Sequence, residues 1–454
     1  MLPDGAPPSY WLDSLPAGVP APRPGLDGDT DADVAIVGAG LTGLWTAWSL
    51  LERDPALRIA VVEKEFAGFG ASGRNGGWCS ALFPRSTASL ERAHGRDAAV
   101  AMRRAMIDTI DHVERAAASA GIECDFAREG TLAFARSPVQ ERAARAEIAE
   151  AERYGVDRLE WRGPDLVRAA GALGAAFDPA CASLHPAKLV RGLAEALEAR
   201  GVRIFEQTEV TAVTPGRVET RRGIVTADRI VQATEGYTAT FRASHRRILP
   251  LYSLMIATEP LPEEFWAGTG LVRGQTFTDY RHLLIYGQRT ADDRFAFGGR
   301  GARYHWGSAI RPAYDSAPRV FEHLRRTLAD LFPEAGGAAI THRWGGPLGV
   351  PRDWHASVAY DPATRIGRAG GFVGDGLSTT NLAGRTLADL LTGETTALTR
   401  LPWVGHRSPD WEPEPLRFLG ANAGMLAMAA ADAEERLTRR ASLIAKVMGP
   451  LVGH

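Results

Sequence analysis

Residues 33–52 read DVAIVGAGLTGLWTAWSLLE. Val34 to Val37 form a short apolar run rich in β-branched residues, the pattern of a buried strand. Gly38, Gly40 and Gly43 then make a G-x-G-x-x-G turn, and apolar residues return at Leu41, Leu44, Ala47, Trp48 and Leu51 with helical spacing. In that context Gly38 permits the tight turn, Gly40 lets main chain approach a pyrophosphate, and Gly43 lets the helix pack on the strand. The amides of Leu41 and Thr42, at the opening of the helix, are free to bind phosphate. After Asp54-Pro55 the stretch RIAVVEKE supplies a second buried strand and completes a βαβ unit. Glu63, twenty residues beyond Gly43 at the end of that strand, is placed to accept ribose hydroxyls, with Lys64 beside it at the adenosine end. The pattern predicts dinucleotide binding and leaves NAD and FAD both open.

The next stretch bears on that choice. Residues 67–80, AGFGASGRNGGWCS, concentrate five glycines around one arginine. Alone it reads equally as a flexible surface linker. Directly after a ribose-binding acid it suits a flavin, whose ring extends away from the pyrophosphate and needs backbone cover, whereas a nicotinamide has no evident use for a second glycine-rich loop. On this reading Gly70 and Ala71 belong to the cofactor loop, Ser72 and Arg74 face the phosphates or structure the loop, and Asn75-Gly76-Gly77 lie against the ring.

The whole chain sets bounds on partners. Its 454 residues suggest two domains, or one carrying an inserted second. An apolar fraction of 45%, a charged fraction of 23% and a net charge of −2 give no electrostatic case for nucleic acid. Cys79, Cys124 and Cys181 are too few and too scattered for a disulfide framework, a redox pair or a metal cluster, so no metal is expected and a reducing, cytoplasmic setting is favoured. No segment has the uninterrupted apolar length of a membrane span. The first thirty residues, proline-rich and lacking a signal-peptide pattern, read as an extended leader.

Further along, residues 186–201 read as an amphipathic helix followed by strand candidates. Between Tyr237 and Ile340, aromatic-rich alternating segments suggest a largely antiparallel sheet. GGFVGDGLSTTNLAGRTLADLLTG, residues 370–393, repeats the strand, glycine turn and helix grammar, and a terminal helix is expected around Met425 to Met448.

Several stretches together resemble the D-amino-acid-oxidase-like FAD oxidoreductases: VGAGLTGLWTAWSL, VVEKEFAGFGASGRNGG, QTEVTAV, QATEGYT, YSLMIATEPLP, HRWGGPLGV and GDGLSTTNLAGRTLADLLTG. The GASGRNGG run is similar to that of the γ-glutamylputrescine oxidase-like amine oxidases. The resemblance implies an α/β fold in which a discontinuous Rossmann-type, glutathione-reductase-like FAD domain (31–90, 177–240 and 341–395) carries an inserted antiparallel-sheet α+β substrate domain (91–176 and 241–340), followed by a C-terminal tail and helix (396–454). It implies that Val210 meets adenine, that Ala233 and Thr234 lie near ribose and pyrophosphate, and that Gly374, Asp375, Gly376, Leu377, Ser378 and Thr379 line one edge of the flavin. Relatives that bind flavin covalently do so through histidine or cysteine. The final loop here has neither, so non-covalent FAD is expected, with Cys79 read as a buried thiol.

The resemblance further implies oxidation of a small-molecule amine or amino acid, with oxygen or another acceptor taking the electrons. The chain has only three lysines, Lys64, Lys188 and Lys446, and none is expected over the ring, which argues against oxygen. Tyr252, Tyr280, Tyr286, Tyr304, Trp306 and Trp344 are aromatic candidates for a substrate pocket, Trp344 foremost because HRWGGPLG lies toward the flavin loop. Arg281, Arg300, Arg303 and Arg343 are candidate carboxylate clamps. No obligatory acid or base stands out. The rival readings are an NAD(P)H-dependent flavin monooxygenase, disfavoured by the lack of a second G-x-G-x-x-G after a strand, and a catalytically silent flavin-binding protein.

Overall fold

The computed structural model describes residues 9–448 apart from Ala17 and Pro20. Two large sheets organise it. The first has the order Ser357–Asp361, Ile366–Gly370, Gly223–Gln232, Thr30–Val37, Ile59–Val62, Arg203–Phe205, with Val210–Thr214 and Arg217–Thr220 attached as a meander to Gly223–Gln232. Its inner pairs are parallel, with Val37 opposite both Val62 and Gln232, and the edge strand Ser357–Asp361 is antiparallel. Thr30–Val37 sits at the centre because its residues 34–37 are buried on both faces, Val34 and Ile36 under helices and Ala35 and Val37 under the meander of residues 210–220.

The helices Leu41–Arg53 and Gly376–Thr392 pack face to face over this sheet. Their approach is very close at Gly384, where a Cβ would lie 2.6 Å from the carbonyl carbon of Trp45. The β-carbon-free position is therefore what lets the two helix N-termini converge on the same end of the sheet.

The second sheet runs Ile340–Val350, Leu249–Thr258, Phe295–Gly299, Ile285–Arg289, Thr276–Asp279, Thr131–Ala135, Gly174–Asp178, Glu160–Arg162. It is antiparallel except for the pair Thr276–Asp279 and Thr131–Ala135. An aromatic core of Phe134, Phe277, Phe295, Phe297 and Phe332 lies beneath it.

Three expectations need correction. The proposed boundaries at 177 and 341 cut across the second sheet: Ile340–Val350 pairs along its length with Leu249–Thr258, and Gly174–Asp178 belongs with Thr131–Ala135. Strand pairing, a non-local property, overrides the local similarity from which those boundaries were drawn. The leader is not simply extended, since Tyr10–Asp13 forms a helical turn capped by Ser9. Its Tyr10, Trp11 and Leu12 are buried with Phe66, Met255 and Trp344; residues 1–8 lie outside the described part. The terminal helix begins earlier than expected, at Leu416, and breaks at Arg439, whose φ of +56° ends the Leu416–Thr438 helix before a short Leu443–Met448 helix. Among the described residues no helix is long and apolar enough to cross a membrane.

Candidate functional site

A cavity of about 320 Å³ starts at the glycine turn after Thr30–Val37 and runs to a mouth at Ile310, Arg311, Pro312 and Asp315. Its first part is built by the βαβ unit. Gly38 has φ +105°, and a Cβ there would lie 2.6 Å from the Ala233 carbonyl, so the turn admits only glycine. A Cβ on Gly43 would lie 2.1 Å from the Gly38 carbonyl, which is why the helix can start against the strand. Gly40 is the helix N-cap and supplies no side chain; the Ser72 hydroxyl instead accepts from the Leu41 amide at 2.8 Å. Ser72 thus ties the glycine-rich loop to the helix N-terminus, where amide dipoles favour an anion.

Glu63 reaches into this part of the cavity. Its carboxylate accepts from the amides of Ala39 (2.9 Å) and Glu65 (2.9 Å), and burial pushes its pKa up to about 7 despite those bonds. Each oxygen retains a lone pair for a further donor. Lys64 also lines the cavity and is tethered to Glu209 at 2.8 Å. Thr208, Val210, Ala233 and Thr234 complete this end.

The far end is framed by the glycine-rich loop on one side and by Leu348, Phe372, Gly374, Gly376 and Leu377 on the other. The N-terminus of Gly376–Thr392 opens onto it. Glu235 holds these walls together. With φ +42°, its carboxylate accepts from the Gly349 amide at 2.6 Å and the Phe372 amide at 3.0 Å, joining three segments far apart in sequence. Burial raises its pKa to about 7. A Cβ on Gly349 would fall 2.3 Å from a Glu235 oxygen, so residue 349 has to be small for this carboxylate to fit.

Of the residues anticipated from sequence, Gly38, Gly40, Leu41, Thr42, Glu63, Lys64, Gly70, Ala71, Ser72, Asn75, Val210, Ala233, Thr234, Gly374, Gly376 and Leu377 line this one cavity. Others do not. Arg74 is buried behind the loop, paired with Asp315 at 2.7 Å and donating to the Gly345 carbonyl (2.9 Å) and the Tyr237 hydroxyl (3.0 Å), so it structures the loop. Gly76 and Gly77 back onto Tyr286 and Gln288 of the second sheet; a Cβ on either would clash there. The Thr379 hydroxyl turns back to the Asp375 carbonyl, Ser378 donates to the Ser80 carbonyl, and Asp375 lies off the cavity wall, its pKa raised by burial to about 6.

Trp344 is a clear correction. Trp344, Gly346 and Leu348 share one side of their strand; only Leu348 reaches the cavity, because the loop covers the other two. The Trp344 indole, 2% exposed, donates to the Arg74 carbonyl at 2.9 Å, and Gly346 lies beneath the Arg74 guanidinium. The tryptophan supports the loop from behind. The other aromatic candidates and the four candidate arginines are likewise absent from the lining, Arg281 being paired with Asp279 and Arg300 donating to the Val373 carbonyl. Lining residues that sequence reasoning passed over include Glu235, Tyr237, Phe241, Leu348, Phe372, Thr380, Arg311 and Asp315. A signal for Glu235 and Tyr237 existed in QATEGYT, an acidic residue directly after a parallel strand end; the mouth residues carried none.

The fit to a dinucleotide can be tested on these features. Two helix N-termini open onto one cavity, a glycine turn excludes Cβ atoms beside it, and a carboxylate stands at the end of the second strand with lone pairs to spare. All three suit a pyrophosphate with a sugar on one side and an extended ring system on the other.

Comparison with known proteins agrees with that geometry. Residues 33–390 match the family described as FAD dependent oxidoreductase, DAO. A curated relative, gamma-glutamylputrescine oxidoreductase of Escherichia coli (strain K12), is 31% identical over 388 residues, covering 82% of this chain and 87% of its own. Among solved structures, glycine oxidase from Geobacillus kaustophilus superposes with a TM-score of 0.68 at 20% identity, covering 83% of this chain and 99% of that one. L-proline dehydrogenase from P. horikoshii gives 0.64 at 19% identity, covering 84% and 96%. A cavity shaped for a flavin dinucleotide and a family match across most of the sequence lead to one conclusion: this chain belongs to the DAO family of FAD-dependent oxidoreductases.

Proposed function

We propose that the chain oxidises a small primary or secondary amine or an amino acid. When bound, FAD would supply a two-electron acceptor for the hydride on the carbon beside nitrogen, leaving an imine that water hydrolyses. The chain's own residues bind and enclose. The glycine turn and the Thr42 amide would hold pyrophosphate, Glu63 and Val210 the adenosine, and Gly70, Ala71, Ser72 and Asn75 with Gly374, Gly376 and Leu377 the ring. At the far end the walls are largely apolar, formed by Tyr237, Ile310, Pro347, Leu348 and Phe372, which excludes water and favours the neutral amine whose lone pair assists hydride departure.

The observation that carries this reading is that both carboxylates at that end are already engaged. Glu235 accepts backbone amides and Asp315 is paired with Arg74, so neither stands ready as a general base. Hydride loss from an already neutral amine requires none. Similarity to gamma-glutamylputrescine oxidoreductase supports an amine as the substrate class. Lys64 is the only lysine among the described cavity-lining residues and sits at the adenosine end, which supports an acceptor other than oxygen.

Anaerobic mixing of the yellow protein with a panel of amines and amino acids should bleach the flavin with at least one amine, faster as pH rises toward the amine's pKa. Air should then restore the colour slowly compared with an artificial dye acceptor. Bleaching by NADPH but by no amine would replace this reading with the monooxygenase one, and no bleaching by any reductant substrate with the silent flavoprotein.

A further inference from the structure

The Leu416–Thr438 helix is fixed to the body by one face, and the short Leu443–Met448 helix folds back on its C-terminal end, where Ser442 and the Ile444 amide donate to Glu434. Arg417, Gly424 and Ala431, seven residues apart, are its buried positions. Phe418 and Met425 pack with Tyr304, Val350, Val373 and Trp411, and Asp432 accepts from the amides of His282 (2.7 Å) and Leu283 (3.0 Å). The opposite face carries Leu416, Leu419, Ala423, Leu426, Ala430, Ala433 and Leu437, spaced alternately by three and four residues. Leu416, Leu419 and Leu426 are 61%, 59% and 72% exposed. Seven consecutive apolar positions at heptad spacing, six exposed and Ala433 partly so, run over roughly 32 Å of helix and form the seam of a helix pair that lacks its second helix.

We propose that the missing helix is the same segment of a second copy of this chain, packed antiparallel about a two-fold axis. Two features of the stripe choose this occupant and this direction. The first is volume. In antiparallel register, Leu416 meets Ala433 of the second copy, Leu419 meets Ala430, and Ala423 meets Leu426, so each of these layers sets a large side chain against a small one, while Leu437 lies beyond the start of the second helix. A parallel pair would oppose leucine to leucine and alanine to alanine, leaving four layers overfilled and three empty. The second is charge. Arg436, Arg439 and Arg440 are exposed at the C-terminal end and make no ion pair among the described residues, while the N-terminal end follows the exposed Asp410; Glu412 beside it is already paired with Arg352 at 3.0 Å. Antiparallel packing brings the arginines toward Asp410 of the other copy; parallel packing would bring arginine to arginine. Gly420 and Ala427, flanking the seam, let the helices approach closely.

The FAD-loaded protein should sediment as a dimer of twice the 48.8 kDa chain mass at micromolar concentration. Leu426→Glu should weaken the dimer by about a hundredfold or more, because it buries a carboxylate on each side of the axis, and should leave flavin absorbance unchanged as evidence of folding. Direction is read by cross-linking. The three native cysteines are buried. Under mild oxidation, Leu416→Cys protein mixed with Ala433→Cys protein should form a disulfide between the two, whereas neither alone should. Three results would overturn the proposal: a monomer at all concentrations, a dimer indifferent to Leu426→Glu, or cross-linking of each single variant to itself. A monomer that co-floats with anionic phospholipid vesicles would overturn it in favour of a membrane-surface role for the same stripe.

Discussion

Arg74 shows how much one side chain can organise. Its guanidinium, 2% exposed, is held by Asp315 at the cavity mouth, the Gly345 carbonyl on the second sheet and the Tyr237 hydroxyl, so it pins the glycine-rich loop to three elements at once. Removing one partner of a buried ion pair strands the other charge and costs about 3–5 kcal/mol, whereas removing both with apolar replacements is often near neutral. Arg74→Met should therefore lower stability by about 3 kcal/mol in urea unfolding, and the Arg74→Met/Asp315→Leu double variant should regain most of it. A double variant no better than the single would show that Asp315 is not the group left stranded.

Glu235 yields a prediction on pH. Its folded-state pKa, about 7, lies above the ordinary 4.5, as does that of Glu63. Between those values the folded chain keeps a proton that the unfolded chain has released, so stability falls as pH rises from about 4.5 to about 7 and levels off above. The thermal midpoint should decline across that window, and Glu235→Gln should make the decline shallower. An unchanged slope would show that Glu235 stays ionised in the fold throughout it.

At the scale of elements, the helix pair Leu41–Arg53 and Gly376–Thr392 sets where the two N-termini point. Gly384→Leu would drive a side chain into the Trp45 backbone, and overpacking of this kind costs about 1–3 kcal/mol. Because both helices open onto the cavity, FAD affinity measured by quenching of flavin fluorescence should fall about tenfold or more; an unchanged dissociation constant would show that the helix spacing does not govern the site. These elements were also the legible ones. Strand, glycine turn and helix are local grammar: DVAIVGAGLTGLWTAWSLLE carries the whole unit within twenty residues, whereas GGFVGDGLSTTNLAGRTLADLLTG carries only turn and helix, its strand Ile366–Gly370 having ended where the stretch begins. The mouth at Arg311 to Asp315 is made by a loop returning to Arg74 across some 240 positions, and no periodicity announces it. Trp344 was misjudged for the same reason: HRWGGPLG does lie at the glycine-rich loop, but that the loop covers residue 344 and leaves Leu348 open is a fact of tertiary packing. The YWLD turn looked like leader because four helical residues are too few to show a period.

For the whole molecule, the mode of flavin attachment follows from where its nucleophiles lie. Cys79 is fully buried, burial pushes its thiol well above the ordinary value, and it does not line the cavity. Acid precipitation of the holoprotein should leave the yellow colour in the supernatant. Colour in the pellet would establish a covalent link and direct attention to the residues at the far end of the cavity.

The bonds from Glu235 to Gly349 and Phe372 bear on how the protein is made. A ribosome releases the chain from its N-terminus, so the glycine turn and Glu63 emerge long before the segments that Glu235 must grip, and the strand Ile366–Gly370 joins the first sheet later still. The nascent chain can offer a dinucleotide the phosphate end of its berth early, but not the walls at the other end. Capture of the flavin therefore belongs to the last stage of synthesis or follows it. Until then the Leu348 and Phe372 side chains, which end as cavity lining, have no enclosure of their own to enter.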